Sequence, residues 1–201
     1  MRKTELGEFI APKNNVVELS QIRAGFTPAL PLIPQELLQQ IISFFRCYRG
    51  EVQEFEALAH ILWDRENEEF VVHIPQQHVS KMRVDANLIR DSLPEERYLH
   101  YADIHSHNSM EAKFSHVDDQ DERATRIYMV VGRLDRFFPE ISVRMSCGGT
   151  FQELDPATVI EGLGSVFPRE WRDNVSTSTA SPQAPLPVRC RVREPFWGDM
   201  L

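Results

Sequence analysis

The chain is expected to fold as a single mixed α/β domain, a β-sheet flanked by helices. Two observations predict this. One segment, PQELLQQIISFFRCYR, has apolar residues at helical spacing, and several short β-branched or aromatic runs around it are separated by turn signals. The order in which they occur, helix, strands, helix, strands, indicates a mixed α/β sheet.

The elements follow in chain order. Residues 1–33 mix polar and apolar groups with Pro12, Pro28 and Pro31, so a leader is expected, with a short strand around Val16 to Leu19. Pro34 suits the first residue of a helix. Leu37, Leu38, Ile41, Ile42, Phe45 and Tyr48 then give that helix one buried face, and Gly50 ends it. EFEALAHILWD and EEFVVHIP flank the polar turn DRENE, the pattern of a hairpin. HVSKMRVDANLIRDSL has no clear period. YLHYADIHSH reads as a strand, DDQDERATR as a helix, and IYMVVGRL and ISVRMSCGG as strands, with GG and FQELD closing a further hairpin. From Asn174 to Pro187 the composition shifts to Ser, Thr, Ala and Pro, so residues 173–201 are expected to be a flexible linker and tail, with Arg189, Arg191 and Arg193 on one side if extended. The domain proper is thus placed at 34–172.

Composition excludes some functions. The net charge of -8 and pI near 5.4 argue against a nucleic-acid partner, which would call for a basic patch. No apolar run is long enough for a signal or a membrane span, so a soluble, cytoplasmic protein is expected. Cys47, Cys147 and Cys190 are far apart, with no CxxC pair, and are expected to be reduced and mostly packed.

Chemistry concentrates in DIHSHNSMEAKFSHVDDQDE. In a strand, His105 and His107 point to one side with Cα atoms about 6.6 Å apart, close enough for two imidazoles to hold one ion. A catalytic zinc typically takes three protein ligands and leaves one position open. Asp118 is the candidate third, and Ser115, three residues earlier, shares its helical face. Ser-x-x-Asp is also a helix-capping pattern. His60, His73, His78 and His100 lack matched partners, and His116 would point off the helical face; Trp63 and Phe70 suit packing, and Asn108 is placed to bind substrate backbone.

His105-Ser106-His107, seven residues, Ser115, two residues and Asp118 match without a gap the H-[ST]-H-x7-S-x2-D signature of the JAMM (MPN+) zinc metallopeptidases, and the surroundings resemble the prokaryotic JAB-type branch. The resemblance covers roughly Pro34 to Glu161. It implies an MPN/JAMM-like domain of cytidine-deaminase-like architecture, and one zinc per chain on His105, His107 and Asp118. It also implies that Ser115 stabilises the tetrahedral intermediate and that an upstream glutamate activates the attacking water. In the family that glutamate opens the strand after the first helix, with a small residue three places on. Glu56, with Ala59 there, is chosen, and Glu54, which shares its face in an extended strand, is the reserve.

The implied substrate is a ubiquitin-like or sulfur-carrier protein cut at or near its C-terminus, and activating-enzyme-like cassette proteins are the implied partners. The insertion that some members use to grip ubiquitin is not evident, since only NSMEAKF joins the motif strand to its helix. The alternative is a non-catalytic interaction module of the MPN type, as in members that have lost their ligands. An HxH amidohydrolase barrel fits less well, because such barrels need about 250 residues and carry HxH near their start.

Overall fold

The computed structural model describes residues 2–10, 25–50, 54–79, 84–86, 93–163, 171, 174 and 175. Three short strands come first, β1 (Arg2–Thr4), β2 (Gly7–Ile10) and β3 (Gly25–Pro28). Helix α1 (Gln35–Cys47), β4 (Leu58–Asp64), β5 (Glu69–His73), β6 (Gln77–Val79), β7 (Val84–Ala86) and β8 (Tyr98–Ser106) follow, then helix α2 (His116–Asp121), β9 (Arg126–Gly132), β10 (Glu140–Cys147) and β11 (Thr150–Leu154). A six-stranded sheet in the order β11-β10-β9-β8-β4-β5 carries the fold, beside a three-stranded β1-β2-β3 sheet and the β6-β7 pair. The expected mixed α/β class is what forms, with an open sheet of mixed orientation and few helices.

Every pairing in the large sheet is antiparallel except β8 with β9. Parallel neighbours need a long crossover, and the chain makes one from Ser106 to Arg126 through α2. That excursion carries Asp118 back towards the end of β8.

Period-2 alternation gives the sheet two unlike faces. Ala59, Ile61, Ile104, Ile127, Met129, Val143 and Met145 form one buried cluster with Leu38, Ile41 and Phe45 of α1. The residues between them, among them His60, Asp103, His105, Tyr128 and Arg144, belong to the other face. The helix thus covers the apolar side and leaves the polar side for the chemistry.

Several elements depart from the expected ones. Pro34 caps α1 from outside, extended at ψ 137°, and the helix stops at Cys47, short of Gly50. Residues read as a leader supply β1 to β3 and place Leu6, Phe9, Phe26 and Ile33 in the main core. Helix α2 is shorter than DDQDERATR suggested. Glu122 already leaves helical geometry (φ -85°, ψ 57°), since its side chain is buried under Arg144, and Arg126 must open β9. The GG hairpin forms as read, with Gly148 and Gly149 at φ 61° and 81°, the conformation a two-residue type I′ turn demands.

The period-free stretch yields the β6-β7 pairing, Gln77 to Val79 with Val84 to Ala86. The strand expected at Val16 to Leu19 and the arginines at 189, 191 and 193 lie outside the described residues, as does nearly all of the expected linker. Cys47 and Cys147 are free thiols, but Cys47 is exposed rather than packed. Among the described residues no helix is long and apolar enough to cross a membrane.

Asp64 organises the β4-β5 hairpin. Buried at 1% exposure, it accepts from the backbone N–H of Glu66 and Asn67 and from Arg97, whose Nη2 lies 2.7 Å from Oδ2. Arg97 first, then the two backbone donors, hold its carboxyl below the usual range against the effect of burial. A depressed carboxylate stabilises fully above its unfolded pKa of about 3.9 and loses that contribution as pH falls through the folded value. Asp64→Asn is therefore expected to lower the urea midpoint at pH 7, with the difference from wild type shrinking below about pH 4. Parallel unfolding curves at every pH would contradict it.

Candidate metal centre

The site is assembled by register. Leu58 pairs with His105, and Ser106 is tied to Ala57 twice, its N–H donating to the Ala57 carbonyl and its Oγ accepting from the Ala57 N–H, both at 3.0 Å. Glu56, the neighbour of Ala57, is thereby held near the end of β8, close enough for the Asp118 charge to act on it. The middle residue of His-Ser-His is thus the fastener that brings the β4 entrance to the two histidines.

His105 Nε2 and His107 Nε2 stand 3.1 Å apart; Asp118 Oδ1 lies 3.5 Å from the first and Oδ2 3.9 Å from the second. A tetrahedral ion with bonds of about 2.0 to 2.1 Å spaces its ligands by about 3.3 to 3.4 Å. Two imidazole nitrogens and a carboxylate at that spacing suit a metal ion, and these three residues form a group able to hold one. Burial pushes His105 down to about 4 against the opposing Asp118 charge, and His107 is lowered for the same reason. Both rings are therefore neutral at pH 7, as ligands must be. The Glu111 backbone near the His107 ring acts in the opposite direction to burial.

Asp118 reaches the histidines because of its cap. Its N–H donates to Ser115 Oγ at 3.2 Å while its Oδ2 accepts from the Ser115 N–H at 2.5 Å, a reciprocal capping box. The capping reading of Ser-x-x-Asp is what forms, and the cap still leaves Oδ1 3.5 Å from His105 Nε2. Ser115 Oγ accepts within the cap, so its hydroxyl proton stays available for donation.

Of the two glutamates, Glu56 is the one beside the cluster. It is buried, and burial first, then the Asp118 charge, pushes its carboxyl up to about 7. Glu54 is otherwise engaged, 3.6 Å from Arg49 Nε and accepting from Ser109 Oγ at 2.7 Å. Asn108, at φ 48°, is buried with Oδ1 lacking a hydrogen-bond partner.

The residues missed in the sequence lie on the same face. A register shift between Ile61 and Leu62 turns His100 and Asp103, three residues apart, to one side, where Asp103 Oδ1 is 2.5 Å from both His60 Nδ1 and His100 Nε2. Arg126 Nη1 adds a contact of 3.1 Å to Oδ2. These three could also hold an ion, but the spacing is that of hydrogen bonds rather than of ligands around a metal, and a guanidinium stands among them. Burial would raise the Asp103 carboxyl; bonds from His100 and His60 outweigh it and hold it far below the usual range. His60 and His100 also line a cavity of about 470 Å³ with Arg65, His73 and Arg126.

A further pair was missed. Glu122 Oε1 is 3.7 Å from His105 Nδ1, and Glu122 Oε2 accepts from Arg144 Nε at 3.0 Å and Nη2 at 2.6 Å. Burial pushes Glu122 up to about 8 despite those two bonds. Only a pairing of charges 22 residues apart could have signalled it.

No protein-family model matches the chain, and no curated protein matches it.

Proposed function

We propose that this chain is a zinc-dependent metallopeptidase or isopeptidase of the JAMM (MPN+) type, with an MPN-like domain of cytidine-deaminase-like architecture. The observation that carries the reading is the convergence of His105 Nε2, His107 Nε2 and the Asp118 carboxylate at ligand spacing, with Glu56 beside them. Three protein ligands leave a fourth position for a reactant, the arrangement of catalytic rather than structural sites.

A bound zinc ion would act as a Lewis acid, polarising the scissile carbonyl and lowering the pKa of water towards about 7. The residues do the rest. Glu56, with its carboxyl raised to about 7, is poised to take the proton of the attacking water and to return it to the departing amine, since proton transfer works best near the working pH. Ser115 donates its free hydroxyl proton to the oxygen on which negative charge grows, and losing one such donor typically costs about 2.7–4 kcal/mol of barrier. Asn108 Oδ1, buried without a partner, is an acceptor for a substrate N–H.

The substrate class proposed is a ubiquitin-like or sulfur-carrier protein cleaved at its C-terminal tail, acting with activating-enzyme-like partners in the cytoplasm. It rests on the resemblance of the motif. The alternative, a non-catalytic interaction module, draws on Phe137 and Phe138, stacked edge to face and exposed at 85% and 80%. Such a module would bind its partner equally well in chelator.

Elemental analysis of wild type, His105→Ala and Asp118→Ala tests the metal reading. Near one zinc per wild-type chain is expected, and none in either variant. A well-folded wild type that takes up no zinc after reconstitution would overturn it.

A further inference from the structure

Arg144 is an unusual residue to find at 4% exposure. Its guanidinium lies between the rings of Phe114 and Phe151, 3.9 Å from each centroid. With both faces covered, it can use only its edge, and that edge is turned to two carboxylates. Nε and Nη2 donate to Glu122 Oε2, and Nη1 donates to Asp119 Oδ1 at 2.5 Å. A planar guanidinium gripped by two rings and two carboxylates has little freedom, and it transmits that rigidity to whatever it holds.

What it holds is Glu122, buried and one turn beyond Asp118. Both Arg144 bonds to Glu122 fall on Oε2, which leaves Oε1 for the ring 3.7 Å away, at His105 Nδ1. That separation is longer than a normal hydrogen bond. Hydrogen bonds around reaction centres are often long before the complex forms and shorten within it. Imidazoles that bind a metal through Nε2 carry their remaining proton on Nδ1 and nearly always give it to a carboxylate, a carbonyl or water.

We propose that Glu122, fixed by the Arg144 clamp, is the positioning residue for His105: its Oε1 accepts a hydrogen bond from Nδ1, sets the tautomer and presents Nε2 to the metal. This rests on the metal reading above and goes beyond its ligand set. The rival account is that Arg144 and Glu122 merely anchor α2 to the sheet. The two differ in one respect. Anchoring makes every Arg144 partner equivalent, whereas positioning singles out Glu122, since among those partners only Glu122 is seen to approach a ligand.

The test is zinc affinity measured by chelator competition, with the visible spectrum of the cobalt-substituted protein as a second readout. Glu122→Ala is expected to weaken zinc about 10–100-fold and to change the cobalt bands. Glu122→Gln, which keeps an acceptor without the charge, should recover part of the affinity, and it remains informative if the alanine variant fails to fold. Asp119→Ala removes the other Arg144 carboxylate without touching His105 and should weaken zinc far less than Glu122→Ala does. Wild-type affinity and spectrum in Glu122→Ala, or equal losses in Asp119→Ala and Glu122→Ala, would overturn the proposal and leave the ligand set standing. A wild type that binds no zinc would instead sink the metal reading, and this proposal with it.

Discussion

Glu56→Gln is expected to keep one zinc per chain and to cleave about 10²–10⁴-fold more slowly than wild type, the usual worth of a general base. The amide has the shape of the carboxyl it replaces but cannot take a proton. Glu56 is not among the three residues whose ligand atoms converge, so the metal should be retained. Folding should be little affected too. A carboxyl raised to about 7 by burial is half neutral near that pH, and an amide removes the cost of charging it in place. Glu54→Gln is the matched control: tied to Arg49 and Ser109, Glu54 is not free to serve, and its variant should cleave at close to the wild-type rate. Single-turnover cleavage of ubiquitin-like fusions by both variants would settle the choice, and undiminished hydrolysis by Glu56→Gln would end Glu56's claim as the base.

The motif was legible because it is local. His105 and His107 share a face through strand alternation, and Ser115 and Asp118 meet through one helical turn, so spacing alone brings each pair together. The amphipathic face of α1 and the hairpins at DRENE and GG were readable for the same reason. What escaped depends on partners far away in sequence. His60 and His100 meet on Asp103 only because a bulge opposite Ile61 and Leu62 shifts the alternation, and no residue type announces a bulge there. Nothing in the residue type of Arg144 marks it out, and its worth comes from Phe114 and Glu122, which the crossover brings over it, and from Phe151 of β11. Phe9 and Phe26 sit in strands of only four residues and Leu6 in the turn between β1 and β2, too short to show a period, yet the core closes on them.

Gly132→Ala, a single added methyl, should damage both stability and metal binding. Gly132 ends β9, and a Cβ there would come within 2.4 Å of the Met110 carbonyl oxygen and the Ala112 nitrogen and 2.6 Å of the Glu111 carbonyl carbon. All three are backbone atoms, so no side chain can swing aside. The segment they belong to is fastened against the end of β9: the His107 N–H donates to the Val131 carbonyl at 2.8 Å, the Arg133 N–H to Met110 and the Leu134 N–H to Asn108, each at 2.7 Å. Making room for the methyl means lifting residues 110–112, the start of the path from His107 to Asp118. Overpacking of this kind costs about 1–3 kcal/mol. Sites lose function when ligands move by more than about 0.5 Å, so zinc affinity should fall by about tenfold or more, in the range that loss of ligand support produces. Gly148→Ala separates strain from crowding, because its Cβ would meet nothing within 4 Å but must adopt φ 61°. It should cost about 1–2 kcal/mol and leave zinc binding untouched. Urea unfolding and chelator competition on the two variants read both quantities. Wild-type zinc affinity in Gly132→Ala would mean that Asp118 keeps its place without the 110–112 segment, and that the capping box at Ser115 alone holds the third ligand.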